Sequence, residues 1–326
     1  MPEMFKNNSG AFIGVDLGGT NVRVGLFLED GQILNWQQDE ILAVRGPQAG
    51  LQKIYRLIES VLVGANQPLA GIGIGSTGPI DRLRGCIQNP YTLPGWEDVD
   101  IVSPLREKYK VPIAFENDAD SAALGEYWMG AGQGKERVMM VTFGTGIGTG
   151  LVLNGKIYRG VDGAHPEGGH ILIDPNGPEC YCGARGCWES LASGPAIAAY
   201  AQQLPFQEGS YIAQHSGSDP QEITAALIFA GDRDGDQTCV HIVDRAAQHI
   251  GLGLVSLMMV TLPDCIVLGG GVMRSFERMK PRINAIIEKH HVIIPAKKVR
   301  LEMAALGQQA GIYGAAKAAI NLFEEQ

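Results

Sequence analysis

The chain reads as an α/β protein of two lobes, built from two related βββαβα units facing each other across a cleft. Three observations carry that expectation. Apolar strand-like runs alternate with helical patterns along the sequence. Two Gly/Thr-rich loops, DLGGT at residues 16–20 and GTGIGTG at residues 144–150, each follow one apolar strand and precede another, so the first hairpin is repeated in mid-chain. A length of 326 residues exceeds one ordinary core and suggests two domains. An apolar fraction of 45% and a charged fraction of 19% belong to a soluble globular protein. The net charge of -9 argues against nucleic acid or an anionic membrane as the main partner. No run approaches the ~20 apolar residues that span a bilayer. The amino-terminal MPEMFKNNSG lacks a basic-then-apolar signal, so the expected location is cytoplasmic, where cysteines stay reduced.

Residues 11–34 read as a β-hairpin followed by a third strand. Phe12 to Val15 is apolar, Gly18-Gly19-Thr20 turns the chain, Val22, Val24, Leu26 and Leu28 alternate with smaller or polar neighbours, and Asp30-Gly31 supplies a second turn. Asp16, Gly18, Gly19 and Thr20 would offer N–H groups and a hydroxyl to a phosphate, although Asp and Gly also suit a plain turn. Residues 48–63 place Leu51, Ile54, Leu57, Ile58, Val61 and Leu62 on one helical face, and a buried strand follows at 69–75. Gly73-x-Gly75-x-x-Gly78 matches the dinucleotide fingerprint in form only, because Pro79 and a turn follow where that motif needs a helix. Residues 111–115 form a short strand ending at Glu116-Asn117-Asp118, and a helix to Met129 begins at Asp118 or Asp120. Aspartate caps helices well, so Asp120 is assigned the cap and Asp118 the chemistry.

A strand at 138–143 leads into the second Gly/Thr loop, and a strand at 151–153 leaves it. Ser193 caps a helix over 194–203. Residues 204–235 are the most polar stretch and read as a surface excursion. The DRDGD run at 232–236 lacks the downstream ligands of an EF-hand. A long apolar helix covers 240–260, and a strand at 265–268 runs into Gly269-Gly270-Gly271, where a flat base could lie on bare backbone. A helix at 272–290, a strand at 299–304 and a helix at 309–323 finish the chain. His290 and His291 read as a polar helix end beside Lys289.

The densest chemistry lies in residues 165–189, HPEGGHILIDPNGPECYCGARGCWE. Three of the six cysteines stand there as Cys180-x-Cys182-x4-Cys187, with His170 ten residues before the first. Three thiolates and one imidazole compose a closed tetrahedral zinc shell of the structural kind. The alternative of plain buried thiols or a disulfide fits this spacing less well. Gly183 and Gly186 give the knuckle its backbone freedom. Glu167 and Glu189 flank the cluster, so a metal fixing the loop would fix them too.

Glu167-x-x-His170 followed by Cys-x-Cys-Gly-x-x-Gly-Cys-x-Glu resembles the zinc signature of the ROK family (repressors, open reading frames, kinases), whose kinases phosphorylate sugars. Residues 11–34 resemble the D-x-G-G-T phosphate hairpin of the actin, Hsp70 and hexokinase-like fold. No G-x-x-x-x-G-K-[ST] occurs, so a P-loop is excluded. The resemblance implies a two-lobed actin/hexokinase-like (ribonuclease H-like) fold. Its expected lobes are a small one over 1–118, rejoined by a helix at 307–326, and a large one over 119–306 with the zinc loop and nucleotide site.

It further implies an ATP-dependent hexose kinase, glucokinase first, making glucose 6-phosphate. Fructokinase, mannokinase, allokinase and N-acetylhexosamine kinase are the alternatives within the family, and a catalytically silent sugar sensor is the alternative of another class. His165-Pro166-Glu167 departs from the glucokinase pattern toward fructokinase-like members. Repressor members carry a winged helix before the first hairpin; eleven residues precede Phe12, which favours the kinase. The implied cofactors are ATP, Mg²⁺ and structural Zn²⁺, and the implied assembly is a homodimer or homotetramer. The family match gives Asp118 the catalytic base. Gly78 in Ser76-Thr77-Gly78-Pro79, Asn89, Asn117, Asp118, Glu167, His170 and Glu189 go to the sugar. Asp16 goes to the nucleotide's metal, Gly18, Gly19, Thr20, Asn21, Thr145 and Gly146 to phosphate, Gly269, Gly270 and Gly271 to adenosine, and His170, Cys180, Cys182 and Cys187 to zinc.

Overall fold

A computed structural model describes residues 10–41, 43–205, 209–217, 219–290 and 292–325. His291 and most of the amino-terminal stretch lie outside those residues. Strands β1 (Ala11–Leu17), β2 (Asn21–Leu28) and β3 (Ile33–Glu40) form an antiparallel meander. Helix α1 (Pro47–Leu62) returns the chain to β4 (Leu69–Ser76), parallel to β1. Short strands β5 (Ile80–Asp81), β6 (Cys86–Ile87) and β7 (Val99–Asp100) make a small separate sheet. Helix α2 (Val102–Tyr109) precedes β8 (Ile113–Asn117), parallel to β4, and α3 (Asp118–Met129) starts where β8 ends. Strands β9 (Arg137–Phe143), β10 (Ile147–Leu153) and β11 (Lys156–Ile157) come next. They are followed by helices α4 (Glu189–Ala192), α5 (Gly194–Gln202), α6 (Tyr211–His215), α7 (Ala225–Arg233) and α8 (Gln237–Thr261). Strand β12 (Cys265–Gly269), α9 (Phe276–Lys289), β13 (Arg300–Met303) and α10 (Ala310–Glu324) end the described chain.

The two large sheets have the orders β3-β2-β1-β4-β8 and β11-β10-β9-β12-β13. Each is a meander with two further strands added beside its first strand. This is the duplicated α/β architecture that the repeated hairpin predicts. By contact the chain divides into two compact units. One holds the chain through Met140, Gly150–Pro166 and the segment from Ala304; the other holds Val141–Thr149 and Glu167–Met303. The boundary expected at residue 118 thus falls within the first unit, where α3 packs on α10. Among the described residues no helix is long and apolar enough to cross a membrane.

Period-two alternation decides what covers the first sheet. Ile13, Val15 and Leu17 of β1 join Ile72 and Ile74 in a core with Ile54 and Ile58 of α1. Phe12 faces the other way, onto Ala319 and Ile320 of α10. Glycines let α10 sit at backbone distance on that face. A Cβ on Gly14 or Gly73 would lie closer than 3.0 Å to the Ile312 or Ala315 carbonyl, respectively. Where α3 and α10 cross, a Cβ on Gly314 would meet the Ser121 carbonyl and one on Gly125 that of Ala310. The entry to α10 is held by Glu126, fully buried, whose carboxylate accepts from the N–H groups of Ala131 (2.9 Å), Ala305 (3.1 Å) and Leu306 (2.9 Å).

Several elements depart from the sequence expectation. The polar stretch contains α6 and α7, because Ile228 and Phe229 give α7 a buried face; residues 206–208 and 218 of it are not described. In DRDGD, Asp232 is buried against Arg278 (2.8 Å), and Asp236 caps α8 by accepting from the Cys239 N–H (2.9 Å), which starts that helix earlier than expected. The second Gly/Thr loop is only Gly144-Thr145-Gly146, since Ile147 onward already pairs as β10. A 3-10 turn, Val272–Ser275, precedes α9.

Gly314→Ala is expected to destabilise the protein by about 2–3 kcal/mol, the usual cost of forcing atoms into a packed interface. The urea unfolding midpoint measures it, and a loss below about 0.5 kcal/mol would contradict the packing described.

Candidate active site

In the first unit the hairpin turn after β1 is closed by the Gly18 N–H donating to the Asn21 carbonyl (2.9 Å). Gly19 lies against the Thr92 carbonyl too closely for any side chain, while Thr20 is exposed. Arg23 donates to one oxygen of Asp16 (2.9 Å). Burial raises the Asp16 pKa, and Arg23 opposes that rise. Asn21 accepts from Gln38 through Oδ1 (3.4 Å).

The parallel register sets Ser76 opposite Asn117, which brings the turns after β4 and β8 together. A Cβ on Gly78 would stand 2.8 Å from Asn117 Nδ2, so these two expected sugar contacts are neighbours. Asn89 is different. It is fully buried, donates to Thr92 Oγ1 (2.7 Å) and the Thr77 carbonyl (3.4 Å), and accepts from the Tyr91 (2.9 Å) and Thr92 (3.0 Å) N–H groups. Three of these bonds close its own turn and the fourth ties that turn to Thr77, in the loop that carries Gly78.

The cap of α3 is corrected. Asn117, with extended φ -65° and ψ 151°, accepts from the N–H groups of Ala119 (2.8 Å) and Asp120 (3.4 Å). A cap must sit before the helical φ/ψ begins, and Asp120 is already in the first turn. Asp120 is instead buried, with Oδ2 at 2.9 Å from His165 Nδ1 and Oδ1 without a hydrogen bond among the described residues. Asp118 opens the helix, partly buried, with Oδ1 accepting from the Ala119 N–H (2.8 Å). Just before them, Glu116 is buried and bonded to Arg159 and, more loosely, to Arg82 Nε (3.4 Å). Burial raises its pKa against the pull of both arginines.

In the second unit, the Gly144 N–H bonds the Gly146 carbonyl (2.9 Å), and the Gly194 N–H bonds that of Gly144 (2.9 Å). Thr145 is exposed at the tip of this turn. The carboxylate of Glu189 accepts from the Ile147 N–H (2.8 Å) and packs where a side chain at Gly146 would be. After β12, Gly269 leads to Gly270, which at φ +93° lies against the Phe143 backbone, and to Gly271, which has open space beside it.

Glu167 precedes a 3-10 turn, Gly168–His170, that lies on β10. The Gly168 N–H donates to Thr149 Oγ1 (3.0 Å), and Gly169 approaches the Ile147 carbonyl too closely for a side chain. His170 Nδ1 is 3.5 Å from Cys180 Sγ, and Cys182 Sγ is 3.5 Å from Cys187 Sγ. All four ligand atoms lie within 4.8 Å of one another. A tetrahedron with bonds of about 2.0–2.3 Å has edges of about 3.3–3.8 Å, so the set fits one zinc ion. His170 Nε2 points away, to Tyr181 Oη (3.2 Å). Burial and the Glu189 and Glu167 carboxylates push the Tyr181 phenol pKa up. The structure therefore brings Glu167, His170, Tyr181 and Glu189 together.

The model of the ROK family matches residues 12–321. The chain belongs to the ROK family. It is 34% identical to the glucokinase of Thermotoga maritima over 93% of this chain and 95% of that one. Its fold is similar to the ROK hexokinase of Thermus thermophilus, with a TM-score of 0.82, 32% identity and coverage of 97% and 100%. The ROK family glucokinase of Streptomyces griseus, solved with glucose and AMPPNP, is similar with a TM-score of 0.75, 30% identity and coverage of 96% and 100%.

Two residues, Tyr181 and Arg159, and the partner of a third, His165, are not foreseen from the sequence. Tyr181 had only its place between two cysteines as a signal. Arg159 and His165 find their partners 43 and 45 residues away, beyond any local pattern. For His165 and Asp120, alanine at either position is expected to cost about 2–3 kcal/mol by stranding a buried polar partner. The double alanine variant should cost clearly less than the sum, by at least about 1 kcal/mol in thermal unfolding, and strict additivity would contradict the pairing.

Proposed function

We propose that this ROK chain is an ATP-dependent hexose kinase with glucose as its first substrate, transferring the γ-phosphate to a sugar hydroxyl. The observation that carries this is the junction of β8 and α3. Asn117 caps the helix and keeps Nδ2 beside Gly78, while Asp118 stands next to it at the helix start. Phosphoryl transfer depends on positioning and charge neutralisation more than on covalent help. Asp118 accepts the proton of the attacking hydroxyl, a role typically worth ~10²–10⁴-fold. Gly78, Asn117, Glu167, His170 through Nε2, and Glu189 hold the other hydroxyls, and fixing them supplies orientation.

The oxygen of Asp16 that makes no hydrogen bond among the described residues suits the Mg²⁺ that accompanies ATP, which would neutralise phosphate charge. Gly18, Gly19, Thr20, Asn21, Thr145 and Gly146 take the phosphates, and Gly269, Gly270 and Gly271 border the adenosine. His170, Cys180, Cys182 and Cys187 hold a structural zinc whose closed shell orients Glu167, His170 and Glu189. A cytoplasmic homodimer or homotetramer completes the proposal. Fructose is the second candidate, on His165-Pro166-Glu167. The bond from His165 to Asp120 gives that histidine a structural reason, which leaves glucose ahead.

Asp118→Asn is expected to keep glucose binding while kcat falls by roughly two to four orders of magnitude. A variant with near wild-type turnover would move the base to Glu167 or Glu189. The purified protein is expected to carry one zinc per chain in elemental analysis, and Cys182→Ser to lose both the metal and most activity, since ligation and local folding are coupled. Zinc-free, folded and fully active protein would overturn that assignment.

A further inference from the structure

A cavity of about 440 Å³ opens within the first unit beside β8, a volume typical of small-molecule sites. None of the residues proposed for sugar, nucleotide or zinc lines it. Its floor is apolar, with Val102, Phe115, Leu124 and Leu322. Its walls carry Arg82, Arg84, Arg106, Lys156 and Arg159 against only Glu116 and Glu325, an inversion in a chain of net charge -9.

Internal pairing uses part of that positive charge. Arg159 is committed to buried Glu116, Lys156 to Glu325 (2.9 Å), and Arg84 to Asp98 (2.8 Å). Arg82 reaches Glu116 only through Nε, and among the described residues its terminal N–H groups make no hydrogen bond. Arg106, in the last turn of α2, has no acceptor among the described residues. Displacing Glu116 would strand a buried carboxylate, so an incoming anion uses the donors that Glu116 leaves. A guanidinium fork matches the paired oxygens of a phosphate or carboxylate, while the floor suits a short carbon body.

We propose that this cavity binds a small organic dianion, a phosphomonoester or a dicarboxylate, at a site separate from those of the kinase reaction. The proposal goes beyond the kinase reading and does not depend on which sugar is used. Calorimetric titration of the full-length protein with glycerol 3-phosphate, and separately with malate, tests it. One equivalent per chain is expected for at least one probe, and which of them binds identifies the source of the charge. Arg106→Ala should weaken binding at least about tenfold, because a lost bidentate contact removes a charge-assisted pair. Arg106→Lys should weaken it less, and activity without the probe should stay within about twofold. The side chain of Arg106 is exposed, so folding is not at stake. No binding of either probe at millimolar concentration would overturn the proposal. So would binding that Arg106→Ala leaves unchanged, since that places the anion elsewhere, as at the phosphate turns.

Discussion

Everything in the first unit depends on how closely α10 lies against its neighbours. Gly14 of β1, Gly73 of β4 and Gly125 of α3 each meet the α10 backbone where a side chain has no room. Those three elements lead to or from the Asp16 turn, the Gly78 turn and Asp118. One helix therefore sets the depth of all three. Gly311 extends the same contact to the Asp16 carboxylate itself. Such interfaces have little give, because a close-packed backbone contact has no rotamers to adjust. That suits chemistry in which an ångström of misplacement is costly.

The second unit solves the positioning problem differently. Between His165 and Glu189 the one large apolar side chain that is buried is Trp188, at the far end against Phe143; the other buried residues are Gly169, Gly177, Cys180, Gly186 and Cys187. The stretch ahead of Trp188, with so little core of its own, needs another source of order, and four ligand atoms within 4.8 Å supply a place for it. Backbone contacts from Gly168 and Gly169 to β10, and the bond from Glu189 to the Ile147 N–H, tie the same loop to the second hairpin.

Local signals were legible where local physics decides. The Asp-x-Gly-Gly-Thr turn, the amphipathic α1, the Ser193 cap and the cysteine spacing were all readable, because each depends on residues a few positions apart. The Asp120 side chain was misread because aspartate near a helix start usually caps it, and only the partner 45 residues on shows otherwise. Asn89 makes three bonds within its own turn and a fourth to the Thr77 carbonyl, a partner twelve residues earlier that no local pattern points to. The second Gly/Thr run looked like a long loop, but Gly150 lies in β10 against the Ala119 carbonyl, where glycine serves strand packing.

The residues so positioned are proposed to transfer phosphate to a sugar. The most direct test is ADP release by the purified protein with ATP and Mg²⁺ across a panel of hexoses, with the phosphorylated product identified. Sugar-dependent ADP release is expected, one ADP per sugar phosphate formed, with the highest kcat/KM for glucose. Tight binding of glucose without any sugar-dependent ADP release would contradict it and leave a sugar-sensing protein in its place.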